Sequence, residues 1–404
     1  MKSFAKGIKM SKDQKARVRN IITEKDGKRD SKNMVNKEKD LSGKFCNRPF
    51  DFAEAHDLGT GKVFVCCPTW LHVPVGNLTE QSFDEAFNSP QAQEIRKSIL
   101  DGSFKYCNQK HCPFIQNDSL PNKSDILNGG KAGPVSFNPD KKRHQDIIKN
   151  QITKDLKPVV YNLCYDESCN LACPSCRANK VHVDEGPIYE RKMLIQQKII
   201  DEAFGEPHHR LCRVNVTGSG DPFGSKIFRE LLFNIEGRKY SNLQINLQTN
   251  GVMLTPKYWD KMHKIHNNLD TILISLDAGT EETYNFTRRG GNWKALMKNL
   301  EFISEKRALG KFKHLRLDFV VQQKNYKEMP EFVRIGKKFK VDQCYFSLVS
   351  DWGTWSVEEY NHHAIWKTDH PEFEDFLKVM RNPIFDDPMI DLGNVTEYKN
   401  YSRK

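Results

Sequence analysis

The 404-residue chain has no run approaching the roughly 18 uninterrupted apolar residues that a membrane-spanning helix needs. An integral membrane protein is therefore not expected. Its opening stretch, MKSFAKGIKMSKDQKARVR, carries charge without an apolar centre and does not read as a secretory signal. Cysteine is too scarce for a disulfide scaffold: 11 in 404 residues lies far below the roughly 8–10% of such proteins, and the number is odd. No internal repeat is evident. With no export signal, the expected compartment is a reducing cytoplasm, where clustered thiols are more often metal ligands than bridges.

Charge is the next quantity to locate. Of the formal net charge of +11, residues 1–45 account for +8, with 14 Lys/Arg against 6 Asp/Glu, which leaves +3 on the rest. That opening segment is poor in large apolar residues and reads as a solvated, disordered tail rather than a dedicated nucleic-acid arm. At 38% apolar residues the remainder can bury a substantial core in about two or three domains.

The sequence divides into a basic tail (1–44), a cysteine-rich block (45–115), a connection rich in Asn, Lys, Gly and Pro (116–156), a core (157–348) and a C-terminal extension (349–404). In the core, β-rich apolar runs at 159–164, 211–217, 243–249, 271–276, 315–321 and 343–348 alternate with helical patterns at 189–204, 225–236, 256–266, 293–309 and 327–338. Such alternation predicts an α/β fold of βαβ units on a parallel sheet. Six units cannot close an eight-fold barrel, but they can form an open, partial one. Chemistry in such sheets gathers at the carboxyl ends of the strands.

The densest chemical signal follows the first core strand: Cys169-Asn-Leu-Ala-Cys173-Pro-Ser-Cys176-Arg. Three thiols on one short loop can hold three corners of a cubane iron–sulfur cluster and leave one iron open, where electron-carrier ferredoxins close the cluster with a fourth cysteine. A structural zinc knuckle is the alternative, and it requires a fourth ligand such as Cys164 or His182. Cys164, Cys212 and Cys344 fall in or beside predicted strands and read as buried core thiols.

This loop resembles that of the radical S-adenosylmethionine (radical SAM) enzymes, whose signature is C-x3-C-x2-C after the first strand of a partial (β/α)6 barrel. Thr217-Gly-Ser-Gly-Asp-Pro222 after the second strand is similar to the family's Gly-Gly-Glu-Pro segment. Thr249-Asn250-Gly251 follows the third strand, and Ser275-Leu-Asp277 with Arg288 follows the fourth. The resemblance spans about residues 157–348. It implies a 4Fe–4S cluster on Cys169, Cys173 and Cys176, and SAM contacts from Gly218, Ser219, Gly220, Asp221, Asn250, Ser275, Asp277 and Arg288. The implied reaction is reductive cleavage of SAM to methionine and a 5′-deoxyadenosyl radical, which abstracts hydrogen from a substrate. Asp221 stands where the family more often has Glu, and Ser175 where many members have an aromatic residue.

The block at 45–115 resembles the SPASM module of the same superfamily, through GTGKVFVCC, Gly76-Asn77-Leu78, a Phe-Asn-Ser helix and the closing pair Cys107-x4-Cys112. The resemblance implies a small α+β domain with a second, auxiliary 4Fe–4S cluster on Cys46, Cys66, Cys107 and Cys112. The choice between Cys66 and Cys67 stays open, as does a four-cysteine zinc site. In most members this module follows the barrel; here it precedes it.

The implied substrate is a peptide or protein side chain, with a sugar or other small metabolite as the alternative and a flavodoxin or ferredoxin as electron donor. An iron–sulfur nucleic-acid-binding protein is the rival outside enzymology, and it would depend on residues 1–45. No pattern names a catalytic acid or base.

Overall fold

The computed structural model describes residues 39–402 apart from 58, 136, 138 and 139. The basic tail, but for its last residues, lies outside the described residues.

Ten strands form one sheet: β1 (Phe52–His56), β2 (Lys62–Phe64), β3 (Gly76–Asn77), β4 (Val160–Cys164), β5 (Cys212–Val216), β6 (Leu243–Thr249), β7 (Leu269–Ser275), β8 (His314–Val321), β9 (Gln343–Leu348) and β10 (Ile390–Asp391). Strands β4 to β9 lie side by side in chain order, each parallel to the next. They are the six strands expected from the sequence, and the arrangement is an open, partial barrel.

The intervening helices cover the outer face, for reasons visible in their residues. Helix Gly186–Phe204 buries Ile195, Ile199 and Ala203, four residues apart and so on one stripe. Helix Lys226–Asn234 begins where Ser225 accepts a hydrogen bond from the Phe228 amide, and it buries Ile227, Phe228, Leu231 and Leu232. Asn292 caps helix Trp293–Ala308 in the same way, over Leu296, Leu300 and Ile303. Each fully buried Leu or Ile contributes about 1.5–3 kcal/mol.

The sheet does not stop at the six core strands. β1, from the cysteine-rich block, pairs in parallel with β4, and β2 and β3 follow antiparallel. β10, from the C-terminal extension, pairs in parallel with β9. Both flanking segments are thus hydrogen-bonded to the core. The 116–156 stretch, expected as a connection, carries helices Lys123–Leu127 and Lys141–Asn150. The second is tied down by Asp51, whose buried carboxylate takes His144 Nε2 at 2.5 Å and Arg143 Nε at 3.2 Å. Arg96 clamps the block from inside, donating to the carbonyls of Pro49 (2.9 Å), Phe87 (2.8 Å) and Thr153 (2.8 Å).

Strand register decides what the inner face presents. Glu54, Asn162, Asn215, Asn246, Thr271 and His314 stand opposite one another across six strands. Residues paired in this way point to the same face of a sheet. The inner face therefore carries a continuous polar row, whereas a closed (β/α)8 barrel fills this space with Val, Ile and Leu.

Candidate functional site

After β4 the chain turns through Ser168 into the three-cysteine loop. Cys169 and Cys173 are buried and Cys176 is half-buried, and with Leu171 they form a small cluster of their own. The amides of Cys176 and Arg177 donate to the Cys173 carbonyl at 2.9 and 3.0 Å, closing the turn that carries the last cysteine. The Ala172 amide donates to the Arg289 carbonyl at 2.9 Å, which docks the loop against the residues after β7. Burial pushes the Cys169 thiol up to about 11 and raises Cys173 as well.

Each sulfur faces its own donor. Asn250 Nδ2 lies 3.8 Å from Cys169 Sγ, Arg288 Nη1 3.8 Å from Cys173 Sγ, and Arg177 Nη2 3.4 Å from Cys176 Sγ. Donors around metal-bound thiolates orient them and tune the metal. Arg177 also donates to the Ser219 carbonyl at 2.6 Å and so joins the loop to the Gly-Ser-Gly-Asp turn. Asn250 and Arg288 were picked out in the sequence. Arg177 was visible beside the last cysteine, but nothing in the sequence indicated its partners.

Asp221 is the hub of the strand ends. Its carboxylate accepts four hydrogen bonds: Phe223 and Gly224 amides at 2.9 Å, and Thr249 Oγ1 and the Asn250 amide at 2.8 Å. Its own amide donates to the Ser168 carbonyl at 2.9 Å. The turn after β5, the turn after β6 and the cysteine loop are thereby fixed together. The glycines of this turn answer to space: a Cβ on Gly220 would meet the Ser168 carbonyl oxygen at 2.6 Å, and one on Gly218 would meet Cys164 Sγ at 2.2 Å. Ser219 Oγ donates to the carbonyls of Cys164 (3.0 Å) and Asp166 (2.9 Å).

Beyond β7, Ser275 is half-buried on the inner face, opposite Asp318. Asp277 takes a left-handed φ of 56°, accepts from the Val320 amide at 2.7 Å and pairs with Arg288 at 2.7 Å. Two buried polar atoms here have no partner among the described residues, the Tyr284 hydroxyl and Arg288 Nε. Buried polar groups without partners are rare. Three clustered thiols with unspent donors beside them fit a cluster and a zwitterionic ligand.

The second set of cysteines converges as well. Cys46, Cys66, Cys107 and Cys112 line one pocket, walled by apolar groups including Leu71, Ile99, Phe104 and Ile115. Burial pushes the Cys46 thiol up to about 12 and Cys66 and Cys107 higher still, and the charges of the other three are felt at Cys107. Cys67 does not line this pocket; after burial, the charge it feels most is that of Glu54. Arg48 also borders the pocket, and its Nε has no hydrogen-bond partner among the described residues. Four thiols around one pocket, with the Arg48 guanidinium at its wall over the Phe52 ring, fit a fully ligated cluster.

The C-terminal extension reaches this region. Thr354 Oγ1 donates to the Pro174 carbonyl at 2.8 Å, inside the cysteine loop, and Trp355 stacks on His363 at 4.3 Å. The extension has no clear period in its sequence, and no pattern there assigns it a role. No helix among the described residues is long and apolar enough to cross a membrane.

The sequence pattern of the radical SAM superfamily matches residues 167–312, and that of an iron–sulfur cluster-binding domain, SPASM, matches residues 58–113. No curated protein matches. Among solved structures, SuiB of Streptococcus suis bound to the precursor peptide SuiA is 14% identical over 86% of this chain and 70% of that one, with a TM-score of 0.40. SuiB bound to S-adenosylmethionine is 16% identical over 52% of this chain and 43% of that one, with a TM-score of 0.36. The protein anSMEcpe with bound AdoMet is 19% identical over 56% of this chain and 59% of that one, with a TM-score of 0.40. Likenesses at these scores speak to neither substrate nor partner. The radical SAM match takes in Cys169, Cys173 and Cys176 and the SPASM match takes in Cys66, Cys107 and Cys112, with Cys46 just ahead of it; the chain is an enzyme with a radical SAM core and a SPASM domain ahead of that core, with 4Fe–4S clusters and S-adenosylmethionine as cofactors.

Proposed function

We propose that the enzyme removes a hydrogen atom from a side chain of a peptide or protein laid across the inner face of the sheet. The observation that carries this reading is the polar row Glu54, Asn162, Asn215, Asn246, Thr271 and His314, which crosses six strands below the cysteine loop. Asn246 Nδ2 already donates to Asn215 Oδ1 at 3.0 Å, and its own Oδ1 has no partner among the described residues. Side-chain amides spaced at the strand separation of about 4.8 Å suit the alternating donors and acceptors of an extended backbone.

When bound, the reduced cluster and SAM supply a carbon-centred radical strong enough to take hydrogen from an unactivated C–H bond. Cys169, Cys173 and Cys176 would hold the cluster. Gly218, Ser219, Gly220, Asn250, Ser275, Asp277 and Arg288 would hold the SAM. Arg288 offers its unpartnered Nε to a carboxylate, and the glycines let backbone groups approach. Asp221 is a positioning residue: with four internal hydrogen bonds on its carboxylate, it acts on SAM through the turns it fixes. Cys46, Cys66, Cys107 and Cys112 would hold the auxiliary cluster, which would supply a route for electrons to or from the substrate or a flavodoxin- or ferredoxin-type donor.

The test is anaerobic reconstitution with iron, sulfide, dithionite and SAM, with detection of 5′-deoxyadenosine. Peptides encoded beside the gene are then compared with small sugars and metabolites as stimulators. The expected result is a peptide that raises product formation and emerges with an altered mass. Asn215→Leu should blunt that stimulation and leave peptide-free cleavage intact. Stimulation by a small metabolite alone would replace the peptide reading.

A further inference from the structure

On the inner face, apart from both sets of cysteines, β1 and β4 bring three unlike donors together. The parallel register sets His56 opposite Cys164 and Glu54 opposite Asn162. A carboxylate oxygen of Glu54, a ring nitrogen of His56 and Cys164 Sγ all lie within 4.8 Å of one another. Glu54 and Cys164 are each 6% exposed. Among the described residues, Glu54 pairs with no Lys or Arg; its ionic partner is His56, with Nε2 2.5 Å from Oε1. A buried carboxylate beside a buried thiol, with an imidazole as its paired base, is short of positive charge.

The donors are held in place. Asn162 Nδ2 donates to Glu54 Oε2 at 2.9 Å and lies 3.3 Å from Cys164 Sγ, so one outer amide orients two donors. The His56 ring meets Phe64 edge-on at 5.6 Å. Cys164 Sγ fills the space left by the missing Cβ of Gly218.

We propose that Glu54, His56 and Cys164 form a third metal site, for one divalent cation of borderline softness such as zinc. Oxygen, nitrogen and sulfur donors in one cluster suit tetrahedral zinc, with bonds of about 2.0–2.3 Å. The cation takes the place of the proton shared by His56 Nε2 and Glu54 Oε1 and of the Cys164 thiol proton, and both leave to solvent. Three protein ligands leave a fourth position open. A three-ligand site with one open position on the substrate-lining face would be placed to bind a substrate heteroatom; that last step rests on the function proposed above.

The experiment takes the reconstituted holoenzyme, adds Zn²⁺ in slight excess, desalts it and measures zinc and iron per chain, with zinc-edge X-ray absorption on the same sample. The expected result is about one zinc, with mixed sulfur and nitrogen/oxygen ligation and iron unchanged. His56→Gln, which keeps size and polarity, and Cys164→Ala should each lose that zinc. Asn162→Ala should weaken it by about 10- to 100-fold. Iron content and circular dichroism should stay constant throughout. Wild-type protein without bound zinc, zinc retained in both ligand variants, or an all-sulfur shell at the expense of iron would each overturn the proposal. None of these readouts requires turnover, so failure of the proposed peptide chemistry would leave the metal result standing.

Discussion

The guanidinium of Arg288 lies 2.7 Å from the carboxylate of Asp277, and both side chains are withdrawn from solvent. The same guanidinium points a second nitrogen at Cys173 Sγ, 3.8 Å away. Arg288 therefore answers to two anionic centres, the carboxylate and the cluster thiolate. Burial holds the Asp277 carboxyl above the usual carboxylate range, with Arg288 pulling the other way.

Arg288→Ala should destabilise the fold by about 3–5 kcal/mol, because it leaves a buried carboxylate without its cation. Asp277→Asn should cost less than Asp277→Ala, since the amide can keep accepting from the Val320 amide. Arg288→Lys should fold yet bind SAM more weakly, because an ammonium cannot reproduce the planar fork. Denaturant unfolding and equilibrium SAM binding separate the two effects. An Arg288→Ala chain as stable as the parent would refute the buried pair.

Gly218→Ala should fail for want of space rather than of backbone freedom. The new Cβ would stand 2.2 Å from Cys164 Sγ, and overpacking of this kind costs about 1–3 kcal/mol. Cys164→Ala in the same chain removes the obstructing sulfur and should recover most of the loss in a thermal melt. No recovery in the double variant would mean that Gly218 is needed for another reason.

Cys66→Ser should remove about four irons per chain, and Cys67→Ser should remove none from either cluster. Cys66 lines the pocket with Cys46, Cys107 and Cys112, while Cys67 does not. Iron analysis of the reconstituted variants decides between the two. Equal losses would show that the pocket uses both.

Glu372 should make the attachment of the C-terminal extension sensitive to acid. A hydrogen bond from Gln323 (2.5 Å), together with Tyr326 (2.8 Å) and the Lys327 ammonium, holds its carboxyl down at about 2 against an ordinary 4.5. A depressed folded-state value means that the contribution is fully present above 4.5 and is lost as pH falls from there toward 2. Glu372→Gln should flatten this part of the stability profile. An unchanged profile would show that the anchor contributes nothing.

The six core strands and their five helical connections were legible because each carries its own period. Runs such as LQINLQT and LRLDFVV are β-rich, and the helices repeat apolar residues at the turn of a helix. β1 escaped notice because Phe-Ala-Glu-Ala-His is short and half polar, and its partner β4 lies about a hundred residues further on. Helix Lys141–Asn150 was hidden in a polar stretch, and its anchor at Asp51 is likewise remote. Helix Glu281–Thr287 is short and has few apolar residues, so its sequence shows no helical period.

The same division runs through the chemistry. The spacing of Cys169, Cys173 and Cys176 is a local property, so the sequence alone determined the cluster loop and the order of the motifs after each strand. Which groups serve that loop depends on chain segments far apart. Asp221 finds Thr249 and Asn250 28 and 29 residues on, and Cys173 finds Arg288 115 residues on. Cys164, read as an ordinary core thiol, lies beside Glu54 and His56 because β1 and β4 share a register. Local spacing fixes what one loop can bind; hydrogen-bond register between distant strands decides which side chains stand around it, and only folding sets that register.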